Sequence, residues 1–475
     1  VFKQGKEENS DYYGNSWTYA RNLAFFSSMT YSYAGRYTVN LTGRYEGSNK
    51  LGKSRSARWL PTWNISGAWN AHEELWFDDL LGNVLSNATF KASYSLTADR
   101  GPAFVTNSEV VILSYNPWRP TADITESGLY IDGLENSELT YEKKNELNVG
   151  ADFGFLKNRI NVTADVYFRQ NFDLIGLIYT QGVGGEIAKY ANVASMNSNG
   201  VELSIATKNI DNKKFKWSTD FIFASAKNVI TDLDSRSNVI TLISGEGYAR
   251  QGYPVRSLFS IPFAGLNEEG IPTFVNQDNE TTVTNLDFQE YENLDFLKYE
   301  GPTDPTITGS LGNTFSWNSF TLNVFITYSL GNVVRLDPIF KSSYSDLTSM
   351  PKEFKNRWVI PGDEEVTNIP VIASLRQDRN YDPLSYAYNA YNYSTERIAK
   401  GDFVRMKEIS LSYSFPKKLI DNLKIANLSM KLQATNLFLL YADKKLNGQD
   451  PEFFNSGGVA TPMPKQLTFT INMGI

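Results

Sequence analysis

Cysteine is absent from the 475-residue chain, and histidine occurs only once, as His72. Without thiols the protein cannot use thiol catalysis, thiolate zinc sites, iron–sulfur clusters or disulfide bonds. A single histidine excludes a multi-histidine metal site, and any serine triad would have to use His72 as its base. The composition therefore argues against an enzyme, and we expect no catalytic residue, no metal site and no cofactor.

A dominant charge and a long apolar run are also missing. The 45 basic and 52 acidic side chains give a net charge of -7, which is too weak and too mixed for a nucleic-acid binder. No stretch approaches the roughly 18 continuous apolar residues that a transmembrane helix needs. Residues 1–8 are charged and lack the apolar segment of a signal peptide. The chain is therefore expected either to be cytoplasmic or to begin inside a longer one.

Aromatic residues are abundant, at 14% of the chain, and they occur in segments that alternate apolar and polar side chains. This period of two is typical of a β-strand with two different faces. In the segment 159–169 one face carries Ile160, Val162, Ala164, Val166 and Phe168. The other face carries Asn161, Thr163, Asp165, Tyr167 and Arg169. Segment 147–155 has the same pattern, and Lys157 and Asn158 separate the two as a hairpin turn.

The same alternation predicts further strands, and the best helix candidate is short, at 72–85. The additional strand segments are 37–45, 88–97, 201–208, 215–223, 320–329 and the last ten residues. Short connections follow Tyr33, Leu156, Ile210 and Phe315, whereas long polar excursions cover about 229–299 and 331–402. Short turns on one side and long loops on the other are typical of an outer-membrane β-barrel.

The length of the segments supports the same fold class. A membrane-spanning strand needs roughly nine to eleven residues, whereas strands of soluble proteins average about five or six. Tyr and Trp near strand ends fit the aromatic girdles at the two membrane surfaces. A large soluble all-β protein with one wet face per sheet remains the alternative.

Counting strands from Leu23 to Ile475 gives about thirteen. A bacterial barrel formed by one chain needs an even number, and an open sheet in lipid would leave unpaired backbone groups at two edges. We therefore expect an all-β fold in which residues 1–475 are the C-terminal portion of one transmembrane antiparallel β-barrel domain. The first strands and the signal peptide would then lie upstream of this chain.

Several segments resemble signatures of the SusC/RagA-like TonB-dependent transporters. Residues 401–416 read GDFVRMKEISLSYSFP, which is similar to the penultimate strand of that family that runs toward the periplasm. Residues 428–440, with ATNLF at 434–438, resemble its near-terminal strand. Further similar segments are NSNGVELS at 197–204, GLNEEGIP at 265–272 and GSLGNTFS at 309–316. These matches keep the order of the family and extend from about Tyr31 to Gln466.

The resemblance implies a 22-stranded barrel that is plugged by an N-terminal domain absent from this chain. It also implies a SusD-like surface lipoprotein as a lid, energy from the TonB complex through the N-terminal region, and an oligosaccharide or oligopeptide as cargo. Such a protein would be an outer-membrane nutrient importer of a Gram-negative bacterium. A barrel that serves as a non-transporting scaffold is one alternative, and a soluble carbohydrate-binding or hydrolytic β-protein is another.

Cargo contacts are expected from the long loops and the polar lumen. The richest candidates are Tyr381, Tyr386, Tyr388, Tyr391 and Tyr393. Flat rings with polar rims suit stacking on sugars or packing against peptides, although the same tyrosines could pack the loop on itself or on the lid protein.

Charged residues give weaker candidates, each with an ordinary structural interpretation. Asp152, Asp165, Arg169 and Asp220 on the polar face could steer cargo or simply be wetted lumen residues. The acidic run Asp363–Glu365 could bind calcium, but its spacing matches no defined calcium loop and favours a solvated loop.

Overall fold

The structure of the chain is a computed structural model. It describes residues 19–101, 110–115, 128–133, 135–179, 188–244, 247–340, 352–381, 384–420, 425–453 and 464–474. In chain order the strands are β1 (Asn22–Tyr33), β2 (Tyr37–Ser48), β3 (Trp59–Asn70), β4 (Leu85–Asp99), β5 (Val111–Tyr115), β6 (Gly128–Gly133), β7 (Glu142–Phe155), β8 (Ile160–Tyr179), β9 (Ala188–Asp211), β10 (Phe215–Leu233), β11 (Ser257–Ser260), β12 (Phe263–Leu266), β13 (Pro272–Val275), β14 (Thr281–Thr282), β15 (Lys298–Pro302), β16 (Ile307–Trp317), β17 (Phe320–Leu330), β18 (Val333–Arg335), β19 (Ile398–Lys400), β20 (Phe403–Ser414), β21 (Asn427–Ala442) and β22 (Gln466–Gly474).

Within the described residues, thirteen of these strands form one antiparallel sheet, which we call the large sheet. Its strand order is β1-β2-β3-β4-β7-β8-β9-β10-β16-β17-β20-β21-β22. Each strand therefore pairs with the next large-sheet strand along the chain, as in a meander. The predicted all-β architecture and the predicted strand number are both confirmed.

The central strands are longer than a bilayer requires. β8, β9 and β10 contain 20, 24 and 19 residues, against the roughly nine to eleven that span a membrane. The predicted segments 201–208 and 215–223 lie inside β9 and β10, which extend further toward the loops than the sequence predicts. Polar side chains occupy both faces at Asn197–Asn199 of β9 and at Lys227 and Asn228 of β10, which interrupts the alternation before these strands end.

The two ends of the large sheet carry different connections, as the sequence predicts. At one end, the turn end, the connections are 34–36, 71–84, 156–159, 212–214, 318–319 and 415–426. The opposite end, the loop end, carries among others 49–58, 234–306, 331–402 and 443–465. In the tightest turns Ala34, Leu156, Lys157, Asn158 and Asn318 have positive φ values between 52° and 59°, the left-handed backbone that closes a hairpin.

The helix predicted at 72–85 is wrong. The structure has a 3-10 turn at Ala71–Glu73 and a single helical turn at Phe77–Leu80. Leu85 already pairs with Phe155 in the large sheet, so the connection has no room for a longer helix. Phe77 is buried in a small cluster beneath the turn.

Other helical segments are also short. The α-helices are Arg55–Arg58, Phe77–Leu80, Val239–Ile243, Leu375–Asn380, Leu384–Asn392 and Lys417–Ile420. The remaining 3-10 turns are Lys352–Asn356, Asp363–Glu365, Thr395–Arg397, Lys444–Leu446 and Pro451–Phe453. Among the described residues, none of these helices is long and apolar enough to cross a membrane.

One face of the large sheet is apolar and exposed. Ile65, Tyr94, Leu147 and Phe168 lie directly opposite one another on β3, β4, β7 and β8. Their exposed fractions are between 40% and 54%. The buried apolar clusters of the described residues instead lie in the connections and at strand ends. The apolar rows therefore do not meet each other in a dry sandwich, which argues against the soluble alternative.

Aromatic pairs lie on the same face toward both ends of the strands. At the turn end Trp69 stacks on Phe90, with ring centroids 5.5 Å apart. At the loop end the rings of Trp63 and Tyr94 meet edge to face at 5.4 Å. Two aromatic belts flanking an apolar band are typical of a sheet that spans a bilayer.

The assignment of the two faces predicts how arginine substitutions act on β17. Ile326 lies on the apolar face opposite Leu311 and Met406, where an arginine near mid-bilayer costs about 2–4 kcal/mol. Ile326→Arg should therefore reduce the folded full-length protein recovered from membranes, as measured by heat-modifiable migration on gels. Asn323→Arg is the matched control on the polar face, opposite Ser410, and should assemble normally. Equal losses for both variants would contradict the assignment.

Candidate functional site

The excursions 234–306 and 331–402 pack into one body at the loop end, which we call the loop module. Backbone hydrogen bonds join the two, because Ile261 N donates to Tyr393 O and Thr395 N donates to Ile261 O, each at 3.1 Å. Val371 N also donates to Gly270 O at 3.0 Å. The buried core of the module contains Val239, Leu242, Ile243, Phe259, Ile261, Ile271, Phe274, Leu297, Ile339, Phe340, Phe354, Leu384, Ala387, Ala390 and Tyr391. The long polar excursions of the sequence are thus a folded unit.

The five candidate tyrosines belong to this module, but they do not share one environment. Tyr391 is only 2% exposed, and its ring meets those of Phe263 and Phe340 edge to face at 5.7 and 5.6 Å. Tyr388 stacks on Phe340 at 4.5 Å and donates its hydroxyl to Val371 O at 2.8 Å. Both side chains therefore hold the module together.

The other three tyrosines are closer to the surface. Tyr381 accepts a hydrogen bond from Asn267 Nδ2 at 3.2 Å, and Tyr393 packs against the core beneath the guanidinium of Arg335. Tyr386 is 53% exposed. Burial raises the pKa of both Tyr381 and Tyr391, so neither phenol ionises near neutral pH. Of the five, Tyr386 is the side chain most open to a ligand.

Helix spacing explains why these neighbouring tyrosines separate. In Leu384–Asn392 the buried residues Leu384, Ala387 and Tyr391 recur at intervals of three and four, which places them on one helical face. Tyr386 lies on the opposite face. The preceding helix begins at a capping box formed by Ser374 and Gln377, which fixes where the chain turns back toward the core.

Arg335 is a buried charge that links the two excursions, and the sequence reasoning missed it. Its Nη2 donates to Phe259 O and Ser260 Oγ, and its guanidinium carbon lies 5.5 Å from the centre of the Tyr393 ring. Burial lowers the pKa of Arg335 to about 10, while the Glu300 carboxylate favours the charged form. The guanidinium therefore remains charged at neutral pH. An arginine inside the apolar run 333–336 is the sequence signal that could have revealed it.

A groove of about 360 Å³ opens where β10 meets the loop module. Its lining includes Arg236, Arg250, Gln251 and Tyr291, of which Tyr291 is 52% exposed. Arg250 is fixed by Asp295, with Nη2 and Oδ1 2.7 Å apart. Guanidinium, amide and aromatic groups in one groove suit a polar polymer that offers hydroxyl or carboxylate oxygens. The sequence reasoning named none of these residues.

The polar face of the large sheet carries a track of paired charges. Asp152 accepts from Lys91 Nζ at 2.7 Å and from Thr163 Oγ1 at 2.9 Å. The Nε of Arg169 donates to Glu146 at 3.0 Å, and its guanidinium carbon lies 3.8 Å from the ring centre of Tyr167.

The remaining two polar-face candidates lie opposite glycines. Asp165 faces Gly150 across β7 and β8, and a Cβ at Gly150 would lie 2.1 Å from its Oδ1. Asp220 lies opposite Gly312 on β16. The four predicted charges are thus spread along one face and are not gathered into a single site.

The acidic run and the histidine have local structural roles. Asp363 Oδ2 accepts from the backbone N–H groups of Val359 and Ile360, at 2.9 and 3.0 Å. The hydrogen bond from the Trp358 indole to Glu364, at 2.8 Å, lowers the pKa of that carboxyl. Both carboxylates therefore stabilise the loop that contains them through local hydrogen bonds. No group of three potential metal ligands occurs among the described residues. The Nδ1 of His72 lies 3.1 Å from the carbonyl of Ala88.

The helix geometry predicts opposite effects for two neighbouring tyrosines. Tyr391→Ala removes a fully buried ring and should destabilise the loop module by about 3–5 kcal/mol. The expected result is faster protease cleavage within 331–402 in the membrane-inserted full-length protein. Tyr386→Ala is the control, because its side chain is half exposed, and its cleavage rate should match the wild type. A protected Tyr391→Ala module would contradict the packing described above.

No protein-family model matches. The chain is 25% identical to the TonB-dependent receptor P39 of Formosa agariphila, an alignment that covers all of this chain and 48% of the relative. It is also 25% identical to the TonB-dependent receptor SusC of Bacteroides thetaiotaomicron, covering 95% of this chain and 43% of the relative. The chain therefore spans about half the length of the curated relatives that it matches.

Solved structures give the same fold. The structure of the RagAB peptide transporter superposes with a TM-score of 0.76 at 23% identity, covering 96% of this chain and 47% of that one. The RagAB peptide importer in its open-open state also gives 0.76, at 22% identity and 98% and 49% coverage. These relatives are named as receptors or transporters and not as enzymes, in agreement with the expectation from composition. The chain accordingly resembles TonB-dependent receptors such as SusC in sequence, and its large sheet has the fold of part of the RagAB transporter.

Proposed function

We propose that residues 1–475 are the C-terminal portion of one transmembrane β-barrel domain, in an outer-membrane importer of polymer fragments. The observation that carries this proposal is the large sheet, with its apolar exposed face, its charged opposite face and the loop module at one end. Lipid would cover the apolar face, and the polar face would line a water-filled lumen. A lumen of about 22 strands needs a plug, which an N-terminal region would supply.

Capture of cargo is assigned to the loop module. Tyr386 and the groove with Arg236 and Tyr291 are the exposed groups that combine flat rings with a hydrogen-bonding cation. These groups suit an oligopeptide or an oligosaccharide. Among the structural neighbours, RagAB is described as a peptide transporter, which supports the peptide class. The other four candidate tyrosines would then hold the site in position by packing in or against the core of the module. They are Tyr381, Tyr388, Tyr391 and Tyr393.

A SusD-like lipoprotein is proposed as the lid above the loop module. Several large apolar side chains of the segment 352–381 are exposed, as a lid interface requires. They are Val359, Ile360, Val366, Ile372 and Leu375, with exposed fractions between 46% and 82%. Energy for import would come from the TonB complex acting on the N-terminal plug, since the large sheet itself only holds the lumen open.

Uptake by cells that carry the full-length gene tests the proposed function. Deleting the gene should abolish accumulation of a labelled oligopeptide or oligosaccharide pool, and so should collapsing the proton gradient that drives TonB. If the protein reaches the outer membrane but deletion changes neither uptake nor growth on any such pool, it is a scaffold and not an importer.

A second prediction concerns the capture residue. Tyr386→Ala should weaken cargo binding about fivefold, the loss expected for one stacked ring worth about 1 kcal/mol. Isothermal titration of the purified full-length protein with the cargo fraction measures this affinity. Tyr33→Ala is the control, since Tyr33 is 61% exposed but lies at the turn end of the sheet. Unchanged affinity in the Tyr386 variant would remove this residue from the site.

A further inference from the structure

A second groove, of about 490 Å³, lies on the apolar face of the large sheet and not in the loop module. Its floor is formed by Tyr94, Leu147 and Phe168, which are 47%, 40% and 54% exposed. Amide side chains from three neighbouring strands border it. They are Asn145, Gln170, Asn197 and Asn199.

Strand register shows that the groove lies at the upper limit of the apolar band. One row across the sheet runs Tyr94, Leu147, Phe168, Asn199 and Lys227. The row next to it toward the loop end runs Leu96, Asn145, Gln170, Asn197 and Val229. The row next to it toward the turn end contains Val149, Val166 and Val201. Apolar side chains thus give way to amides within two rows.

The polar side chains at this border have no hydrogen-bond or ion-pair partner among the described residues. The side chains of Asn145, Gln170, Asn197 and Asn199 make no hydrogen bond to another described residue, and Lys227 makes no ion pair there. Lys227 is exposed and lies directly opposite Asn199. These amides and Lys227, which lack partners among the described residues, form an amphipathic site beside the apolar floor.

We propose that this groove binds an anionic glycolipid of the outer leaflet. The acyl chains would lie on Tyr94, Leu147 and Phe168, the sugar hydroxyls would bond to the amides, and a phosphate would pair with Lys227. This inference rests on the proposed function, because that function makes the apolar face the lipid-facing one and the loop end the external one. Sugar hydroxyls both donate and accept, as carboxamides do, and the ammonium group supplies the charge for a phosphate.

The position of the groove favours lipid over the other occupants. Cargo in the lumen would meet the opposite face, where Asp152 is paired with Lys91. A second protein chain would need a broad complementary surface of about 1,200 Å² or more, whereas this groove is concave and continuous with the apolar band. An amphipathic lipid matches the groove, because its acyl chains fit the apolar floor and its polar headgroup fits the amides on the loop-end side.

Native mass spectrometry of the full-length protein in detergent, titrated with monophosphoryl lipid A, tests the proposal. Phosphatidylglycerol serves as a phosphate without sugars, and digalactosyldiacylglycerol as sugars without a phosphate. Wild-type protein should bind lipid A more tightly than either. Lys227→Gln should weaken lipid A binding about fivefold, as expected for one lysine worth about 1 kcal/mol near an anionic headgroup. The double variant Gln170→Leu/Asn197→Leu should lose the preference for lipid A over phosphatidylglycerol.

Lys216→Gln is the matched control, because Lys216 lies at the turn end of the same strand, where it pairs with Asp211 at 3.1 Å. It should bind lipid A as the wild type does. Wild-type affinity in both groove variants would overturn the proposal. A change in the number of protein copies per complex would also overturn it, by assigning the groove to a second chain.

Fractionation and cargo uptake in the same strains separate this inference from the proposed function. The groove variants should reach the outer membrane and import cargo normally. Normal cargo uptake together with unchanged lipid A binding in the groove variants would overturn only the lipid-binding proposal. Recovery of the wild-type protein outside the membrane would instead remove the proposed function.

Discussion

Backbone hydrogen bonding in hydrocarbon is the constraint on which this structure depends. No water is available there, so every N–H and C=O group of a spanning segment must pair with a neighbouring strand. The meander of the large sheet meets that demand for its eleven inner strands, whereas β1 and β22 each pair on one side only within the described residues. Once the backbone is paired, side chains must alternate, one set toward lipid and the other toward water. The alternation in 160–168 and the exposed apolar rows are consequences of this single requirement.

Above the large sheet the organising force changes from backbone pairing to ordinary apolar burial. The loop module has a core of its own, and backbone hydrogen bonds and Arg335 join its two excursions. Tyr391 and Tyr388 belong to that core, whereas Tyr386 faces outward. A rigid module at the loop end can hold exposed groups in fixed positions, which a flexible loop cannot.

The sequence predicts the sheet better than it predicts the site. A period of two depends only on neighbouring residues. The sequence alone therefore predicts the strands and the separation of short from long connections. The helix expected at 72–85 failed because Leu85 is held in the sheet by its partner Phe155, which is distant in sequence. The roles of Tyr386 and Tyr391 differ through packing between the two excursions. Arg236 and Lys227 could not be predicted because a single exposed cation has no sequence pattern, whereas Arg335 interrupts the apolar run 333–336.

The central claim is that alternate side chains of the large sheet face lipid and water. The chain contains no cysteine, so single cysteines can be placed along β8 at 162–168 in the reconstituted protein. A fluorophore attached to cysteines at Val162, Val166 and Phe168 should be quenched by lipid-borne quenchers, and cysteines at Thr163 and Asp165 should react with water-soluble thiol reagents. Exposure to lipid and exposure to water should thus alternate residue by residue along β8. A uniform or reversed pattern would contradict it.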